Sequence, residues 1–269
     1  MIGSSRESLV TCQEGLDARR QDAGFPQLAD ELFAVASLLD NQGQLRKTLA
    51  DTGQPAEVRD GLVRQLLGSR VSELTVDILL MVIGRRWSSD ADMLTAIEML
   101  ADQAAFTVAE ADGTLDTTEE ELFLFGRALD SSSALQMALT DPAQSSTTKA
   151  AIVRDLLSGR STEATDKVLQ YAVGHLHGRR IDAVVDDLCT LAANQRERVV
   201  ADVRVAAPMD EAQERRLADI LSRLKGRTVR LNVAVDPSLL GGVMVTIGDE
   251  VIDGTVSSRM EQARRAVLG

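Results

Sequence analysis

The chain has 269 residues, of which 44% are hydrophobic and only 3% are aromatic. This length allows a sizeable core and more than one domain. Abundant alanine and leucine beside so few aromatic residues favour helices packed on helices over a β-sandwich. A net charge of −12 repels phosphate backbones and anionic lipid headgroups, so the composition argues against nucleic-acid binding and direct membrane insertion.

The start of the chain and its two cysteines predict a cytosolic protein. The first ten residues show no basic segment followed by an apolar one, so no signal peptide is expected, and no run of about 18 apolar residues predicts a membrane span. Cys12 and Cys189 lie far apart, without a C-x-x-C motif or histidines at metal-ligand spacing. We interpret both as buried thiols of a reduced compartment.

The first two-thirds of the chain contain an internal repeat of ninety residues. Residues 32–84 align without a gap with residues 122–174, and 17 of the 53 positions are identical. About four identities are expected by chance at this composition, so a duplication is the better interpretation. A four-residue slip then aligns the sequence GRRW at 84–87 with GRRI at 178–181.

Each copy predicts a series of short helices. The first has the i, i+3, i+4, i+7 spacing of one buried face, in Leu32, Val35, Ala36 and Leu39. A longer helix is predicted at about 88–111, a turn at 112–118 and, after the second series, another long helix at about 180–197. Two consecutive helical bundles are therefore expected.

Two histidines near the end of the second copy form an H-x-H pair, His175 and His177. Residues two apart point to different faces of a helix, so this pair is poorly placed to chelate one ion. We interpret both as residues at a helix C-terminus before Gly178, where a histidine suits the helix dipole. No metal or cofactor site is predicted.

After residue 198 the period of the pattern changes from 3.6 to two, which predicts a small α/β unit. Strands are predicted at 199–206, 228–235 and 243–247, and helices at 211–225 and 255–268. Gly248 and Asp249 predict a tight hairpin turn into a return strand. The fold class expected is mainly α: two tandem helical bundles followed by a small C-terminal α/β domain.

The adjacent glycines Gly241 and Gly242 raise the question of a phosphate loop. Such loops lead into a helix whose free N–H groups point at phosphate, whereas this pair leads into a strand and no lysine follows. The surrounding acids, Asp236, Asp249 and Asp253, lie at strand ends without a nearby histidine, as turn residues do. We therefore expect the glycines to allow a bulge or a positive φ, and we expect no catalytic role.

The stretch at 236–263 resembles the C-terminal signature of the delta subunit of F-type ATP synthases, the family of the mitochondrial oligomycin-sensitivity-conferring protein. The residues that match this signature are Asp236, Pro237, Leu239, Leu240, Gly241, Gly242, Gly248, Asp249 and Asp253. Thr255 replaces the usual serine, a mild change because both residues cap helices. Upstream, Asp141, Pro142 and Lys149 resemble another family segment, and the resemblance runs from about residue 94 to the end.

The resemblance also implies a domain division. Removing one ninety-residue copy leaves a chain about the size of an ordinary family member. We therefore interpret residues 1–92 as an extra helical bundle, 93–197 as the ordinary helical bundle and 198–269 as the C-terminal stalk-binding domain.

The function implied by the resemblance is that of a non-catalytic peripheral-stalk subunit at the cytoplasmic face of the cell membrane. It would link the alpha/beta catalytic head to the b subunits of the membrane sector, with the alpha-subunit N-termini and the b subunit as partners and without a cofactor. A helical-repeat adaptor of another cytosolic complex is the alternative. An enzyme is disfavoured because the sequence shows no nucleophile–base pair and no metal cluster.

Apolar helices recurring in both copies predict a groove in each bundle for a partner's amphipathic helix. The candidate groove residues are Leu9, Leu16, Leu74, Ile78, Met99, Phe106, Val168 and Tyr171.

Overall fold

The computed structural model describes residues 3–157, 159–197, 199–225, 229–239, 241–247 and 250–255. In these residues the chain is mainly helical, with twelve helices and one four-stranded mixed sheet. It divides into two compact units, residues 1–195 and residues 196–269. The predicted fold class, mainly α with a small C-terminal α/β part, is confirmed.

Eleven of the described helices precede the sheet, and their positions repeat. They are α1 (Ser4–Asp17), α2 (Phe25–Asn41), α3 (Gly43–Ala50), α4 (Ala56–Leu67), α5 (Glu73–Ile83), α6 (Asp90–Ala111), α7 (Leu115–Ser131), α8 (Ser133–Thr140), α9 (Ser146–Leu157), α10 (Glu163–Gly174) and α11 (Ile181–Glu197). Helices α7 to α10 each begin ninety residues after α2 to α5. The duplication inferred from identities therefore extends to the order and placement of the helices.

The long helix α6 belongs to both series. It packs against α1, α2, α3 and α5 of the first series and against α7 and α10 of the second. Because it has neighbours on several sides, apolar side chains are buried around much of its surface, among them Met93, Ile97, Leu100 and Phe106. The predicted boundary at 92/93 falls inside α6, and the division of the helical part into two domains stays a prediction.

The connection between α6 and α7 is shorter than the turn predicted at 112–118. Gly113 adopts φ 69° and ends α6, while the N–H of Thr114 donates to the Ala109 carbonyl at 2.8 Å. These are the features of a helix end closed by a left-handed glycine. The chain can then begin α7 at Leu115.

The second unit is built on a sheet with the order β2-β1-β3-β4. Its elements are β1 (Val199–Val205), α12 (Glu211–Lys225), β2 (Val229–Val235), β3 (Gly242–Ile247) and β4 (Glu250–Thr255). Strands β1 and β2 are parallel and α12 connects them, whereas β3 pairs antiparallel with both β1 and β4. The predicted strands agree with these to within a residue or two.

The core of the second unit lies between α12 and the sheet. Val203, Val245 and Leu221 are buried there, the first two on adjacent paired strands and the third on α12. Thr255 was expected to open the final helix but ends β4, where it pairs with Gly242. The rest of that predicted helix, residues 256–268, lies outside the described residues.

Candidate functional site

The most elaborate group of polar and aromatic side chains lies where the two helical series meet. Tyr171 of α10 stacks between the ring of Phe33 on α2, with centroids 4.4 Å apart, and the ring of His175, at 4.1 Å. His175 follows directly after α10, as its C-cap residue. An aromatic residue of the second series is thus held against the first series.

The hydroxyl of Tyr171 donates a hydrogen bond to Glu98 of α6 at 2.8 Å, and His177 Nε2 lies 2.8 Å from the same carboxylate oxygen. This hydrogen bond, together with the negative charge, raises the pKa of His177 and favours its charged form. Burial, with the Glu98 charge next, raises the pKa of Tyr171, so the phenol keeps its proton. Glu98 therefore serves as a shared acceptor for two side chains of the second series.

The backbone after α10 brings His177 to that position. His177 has φ 50° and Gly178 has φ 75°, so the chain turns through the left-handed region instead of continuing the helix. His175, the C-cap residue of α10, lies at the helix C-terminus as expected, whereas His177 lies beyond the helix and not on a second face of it. Their rings are 6.3 Å apart and tilted.

His175 has a defined pattern of hydrogen bonds. Its Nδ1 lies 2.9 Å from the carbonyl oxygen of Tyr171, which can only accept, so Nδ1 carries the hydrogen. Its Nε2 lies 3.3 Å from the hydroxyl of Ser37 on α2 and, in the neutral ring, accepts from it. Ser37 lies one helical turn after Phe33, so the contact between the two helical series continues along α2.

Ion pairs close the other end of the junction. Lys167 of α10 lies 2.8 Å from Asp30 of α2 and 2.8 Å from Glu163 within its own helix. Burial alone would lower the pKa of Lys167, but the hydrogen bonds and charges of the two acids outweigh it and raise that pKa. The ammonium group stays charged and joins the two series.

An open cleft of about 400 Å³ lies beside these contacts, lined in part by Asp30, Phe33, Ser146, Lys167 and Tyr171. The phenol is held protonated and the lysine is held charged, so neither is activated as a base or a nucleophile. This arrangement suits adhesion between helices more than chemistry.

A partly buried acid, Asp102, lies on α6 in the same region. Burial and the neighbouring charge of Glu98 raise the pKa of Asp102 well above its ordinary range. Of the two carboxyls, only Glu98 accepts hydrogen bonds from the second series in the contacts described above. A proton on Asp102 relieves the repulsion between the two groups.

The predicted groove residues lie mostly in the core. Six of the eight are buried, namely Leu9, Leu16, Leu74, Ile78, Phe106 and Val168, while Met99 and Tyr171 are partly exposed. The spacing that predicted a groove is also the spacing of a core face, because a helix in a bundle shows the same stripe to its neighbours. Contact of these residues with a partner stays a prediction, and exposed side chains are better placed for one.

The described residues include no group of three potential metal ligands. Cys12 is buried, and burial raises the pKa of its thiol to about 11, while Cys189 is half-buried with a raised pKa for the same leading reason. Both thiols are therefore protonated at neutral pH. No helix in the described part of the chain is long and apolar enough to cross a bilayer.

Comparison with known families settles the relationship of this chain. The profile of the family described as "ATP synthase delta (OSCP) subunit" matches residues 101–267, which is more than half of the sequence. The chain belongs to the ATP synthase delta (OSCP) subunit family. It is accordingly a subunit of an F-type ATP synthase.

Relatives in this family match along the whole chain. The ATP synthase subunit delta of Streptomyces avermitilis is 41% identical over 265 residues, covering 98% of this chain and 97% of the relative. That of Streptomyces griseus is 39% identical over 271 residues, and that of Frankia alni is 39% identical over 277 residues, with 100% of both chains covered in each case. A chain of the Toxoplasma gondii mitochondrial ATP synthase hexamer covers 64% of this chain at 20% identity, but its TM-score of 0.28 is too low to establish a shared fold.

The family profile and the full-length relatives match different parts of this delta subunit, and the difference begins inside α6. The family profile begins at residue 101, inside α6, and takes in the second helical series and the α/β unit. The full-length relatives include the first series as well. The first helical series is therefore shared with these relatives.

The signature residues of the delta family form a turn and a strand entry. The Asp236 carboxylate accepts hydrogen bonds from the Ser238 N–H at 3.0 Å and from the Ser238 hydroxyl at 2.6 Å, which depresses its pKa. Pro237 and Leu239 lie in the same turn. This geometry agrees with the structural role expected for this acid.

The paired glycines enter β3 with backbone angles that other residues avoid. Gly241 has φ 146° and Gly242 has φ 86°, so of the two alternatives expected for this pair, a bulge or a positive φ, the structure shows the positive φ. Asp253 on β4 accepts a hydrogen bond from the Thr255 N–H at 2.9 Å. Three further signature residues, Leu240, Gly248 and Asp249, lie outside the described residues.

Sequence reasoning missed the contacts between the two series. Glu98, Lys167 and Asp30 were not singled out, because the pairs that they form span different copies and have no short-range spacing. One signal was available in the sequence. Phe33 and Phe123 are equivalent in the repeat alignment, but the copy that contains Phe33 is followed by another copy of the repeat, whose Tyr171 covers Phe33.

Proposed function

We propose that this delta subunit is a non-catalytic part of the peripheral stalk. It links the alpha/beta catalytic head to the b subunits at the cytoplasmic face of the membrane and keeps the head from turning with the rotor. The observation that carries the proposal is membership of the delta family, with matches to relatives over the whole chain. Its partners are the alpha-subunit N-termini and the b subunit.

The organisation of the chain supports two separate attachments. A helical unit and an α/β unit, each with its own hydrophobic core, can bind different partners. Residues 1–92 and 93–197 act as two helical bundles that share α6, and residues 198–269 bind the stalk. Amphipathic helices of partner subunits are ligands that such bundles bind through exposed faces. An acidic chain is suited to attract basic segments of these partners.

Reconstitution tests this role. Membranes carrying the ATP synthase are depleted of this subunit, and both ATP hydrolysis by the head and proton-driven ATP synthesis are measured before and after the full chain is added back. The expected result is hydrolysis without coupling in depleted membranes and recovery of synthesis on addition. Full coupling without the subunit would contradict the stalk role.

Two further outcomes separate the alternatives. Co-purification of the tagged chain with subunits of a different complex, and not with ATP synthase subunits, would favour the adaptor function. Turnover by the isolated chain would favour an enzyme. The stalk proposal predicts neither.

A further inference from the structure

Two faces of the helical unit are equivalent in the repeat. The α2 face, consisting of Asp30, Phe33, Ala34 and Ser37, corresponds to the α7 face, consisting of Glu120, Phe123, Leu124 and Arg127, ninety residues later. The α2 face is occupied within the molecule. Side chains of α10 and its C-cap contact it through an ion pair, a ring stack and a hydrogen bond.

The α7 face has the same apolar centre but is open. Phe33 is 7% exposed under Tyr171, whereas Phe123 is 58% exposed and Leu124 beside it is 55% exposed. A third helical series would be needed to cover the α7 face as α10 covers the α2 face. Two adjacent large apolar side chains on one exposed helix face are the kind of surface that a partner covers.

The equivalence holds for the neighbouring helices as well. Gln103 on α6 donates to Asp17 on α1 at 2.9 Å, and Gln195 on α11 donates to Glu110 on α6 at 2.6 Å. Both glutamines are buried. Helix α11 therefore has the place in the second series that α6 has in the first, and a Cβ at Gly126 of α7 would lie 3.5 Å from Val185 of α11.

We propose that the α7 face is a docking site for an amphipathic, basic helix of a partner protein, which binds there as α10 binds the α2 face. The charges specify the partner. Glu120 takes the place of Asp30, so the partner carries a lysine or arginine at the position of Lys167. One turn after that basic residue, the partner helix carries an aromatic residue, equivalent to Tyr171, that packs on Phe123 and Leu124.

The third position differs between the two faces and adds specificity. His175 reaches Ser37 on the α2 face, but Arg127 replaces that serine on the α7 face. A glutamate or aspartate two turns after the basic residue would pair with Arg127. The motif expected is therefore a basic residue, an aromatic residue four positions later and an acid eight positions after the first.

A second copy of this chain is a poor occupant. Its own Tyr171 and Lys167 are engaged with Phe33 and Asp30 in the same molecule. Docking them on another copy would require breaking those contacts. The occupant is therefore a helix of a different protein.

The test uses the full chain and a synthetic helix that is known to fit the related face. The probe is a fluorescent peptide with the sequence of residues 161–177 of this chain and the change His175→Glu. Saturable binding is expected by fluorescence anisotropy. Phe123→Asp and Glu120→Lys in the protein should each weaken it at least tenfold, and the unmodified peptide should bind more weakly than the His175→Glu peptide.

Matched controls distinguish this site from general stickiness. Val58→Asp removes an apolar side chain of similar exposure, 54%, from α4 of the first series and should leave binding unchanged. A peptide with Lys167→Glu should bind the Glu120→Lys protein better than it binds the wild type. Circular dichroism should show that Phe123→Asp keeps its helix content, because Phe123 is exposed; if that variant does not fold, Phe123→Ala replaces it.

Binding that is indifferent to both Phe123→Asp and Glu120→Lys would overturn the proposal, as would the absence of binding at millimolar peptide. If the peptide instead displaced α10 from the α2 face, binding would not depend on Phe123 or Glu120, which is the first of these two results. The inference goes beyond the stalk role, and its test uses the isolated chain. Its failure would leave the reconstitution experiment unaffected.

Discussion

Tyr171 donates its hydroxyl hydrogen to Glu98 at 2.8 Å, and this bond joins two helices, α10 and α6. The same ring stacks on Phe33 of α2. One side chain of the second helical series thus contacts two helices that also form the first series. Tyr171 therefore contributes to the junction between the repeats through both a hydrogen bond and a ring stack.

Replacing Tyr171 should weaken the helical unit in two steps. Tyr171→Phe is expected to cost about 1–2 kcal/mol, because Glu98 loses a hydrogen bond in a partly buried place. Tyr171→Ala should cost about 2–4 kcal/mol, since the stacked ring is lost as well. Urea unfolding followed by circular dichroism measures both.

The repeat supplies the control for that experiment. Phe123→Ala removes an aromatic ring that is mostly exposed and should change the free energy of unfolding by less than about 0.5 kcal/mol. Equal effects of Tyr171→Ala and Phe123→Ala would show that the ring stack and hydrogen bond of Tyr171 do not add to the free energy of unfolding.

The pair of His177 and Glu98 should make stability depend on pH. The pKa of His177 is raised in the folded state, chiefly by its hydrogen bond to Glu98; burial and the charge of Arg46 oppose this shift, and the charges of Glu98 and Asp40 add to it. The folded state therefore binds this proton more tightly than the unfolded state does. The resulting stabilisation is fully present below the ordinary histidine pKa of about 6.5 and is lost as the pH rises through the raised value.

The measurement is the difference in unfolding free energy between the wild type and His177→Gln, from pH 5 to pH 9. This difference should be largest at the acid end and should shrink as the pH rises. Comparing the two proteins cancels the titration of Asp102 and other groups that both retain. A difference that grows with pH would contradict the assigned role of His177.

Each helical series contains the same carboxylate contact at a helix N-terminus. Glu31 accepts from the N–H and the hydroxyl of Ser72 at 2.9 and 2.7 Å, and Glu121 accepts from the N–H and the hydroxyl of Thr162, both at 3.0 Å. Ser72 and Thr162 also cap α5 and α10. Replacing either by alanine should cost about 1–2 kcal/mol.

The two changes should add, because the sites share no hydrogen-bond partner. Ser72→Ala combined with Thr162→Ala should lower the unfolding free energy by the sum of the single effects to within about 0.5 kcal/mol. Thr48→Ala is the control, since its exposed hydroxyl bonds only a carbonyl of its own helix and its loss should cost little. A double variant far from the sum would mean that the caps are coupled through the junction.

Gly242, the first residue of β3, should respond to substitution by alanine in the opposite way to a glycine inside a helix. Gly242→Ala is expected to destabilise the α/β unit by about 1–3 kcal/mol, because φ 86° is strained for any residue with a Cβ. Gly61→Ala in α4, where an added Cβ meets no atom within 4 Å, should stabilise the helical unit by about 0.5–1 kcal/mol. Differential scanning calorimetry measures both, and a neutral Gly242→Ala would show that the strain is relieved by a local shift.

Much of the fold followed from the sequence, because its signals are local or periodic. The long helices predicted at 88–111 and 180–197 are α6 and α11, and the positive φ of Gly241 and Gly242 is one of the two conformations expected for glycines before a strand. Leu32, Val35 and Leu39 are core residues, as their spacing indicates. The C-terminal signature pointed to the family that the comparisons establish.

Exposure could not be read in the same way. Leu16, Ile78 and Val168 were expected to line a groove and are buried, while Phe33 and Phe123 have the same sequence context and very different exposure. Burial of a helix face depends on which other helices reach it, and those contacts join residues far apart in sequence. The acidic surroundings of Tyr171 were missed for this reason.

The shared helix α6 has a mechanical consequence. With 22 residues it is a continuous hydrogen-bonded rod about 33 Å long, and helices of both series are fastened to it. A twist applied to one series therefore passes to the other without a flexible linker to absorb it. The two helical series should therefore resist torsion together, as one rigid body.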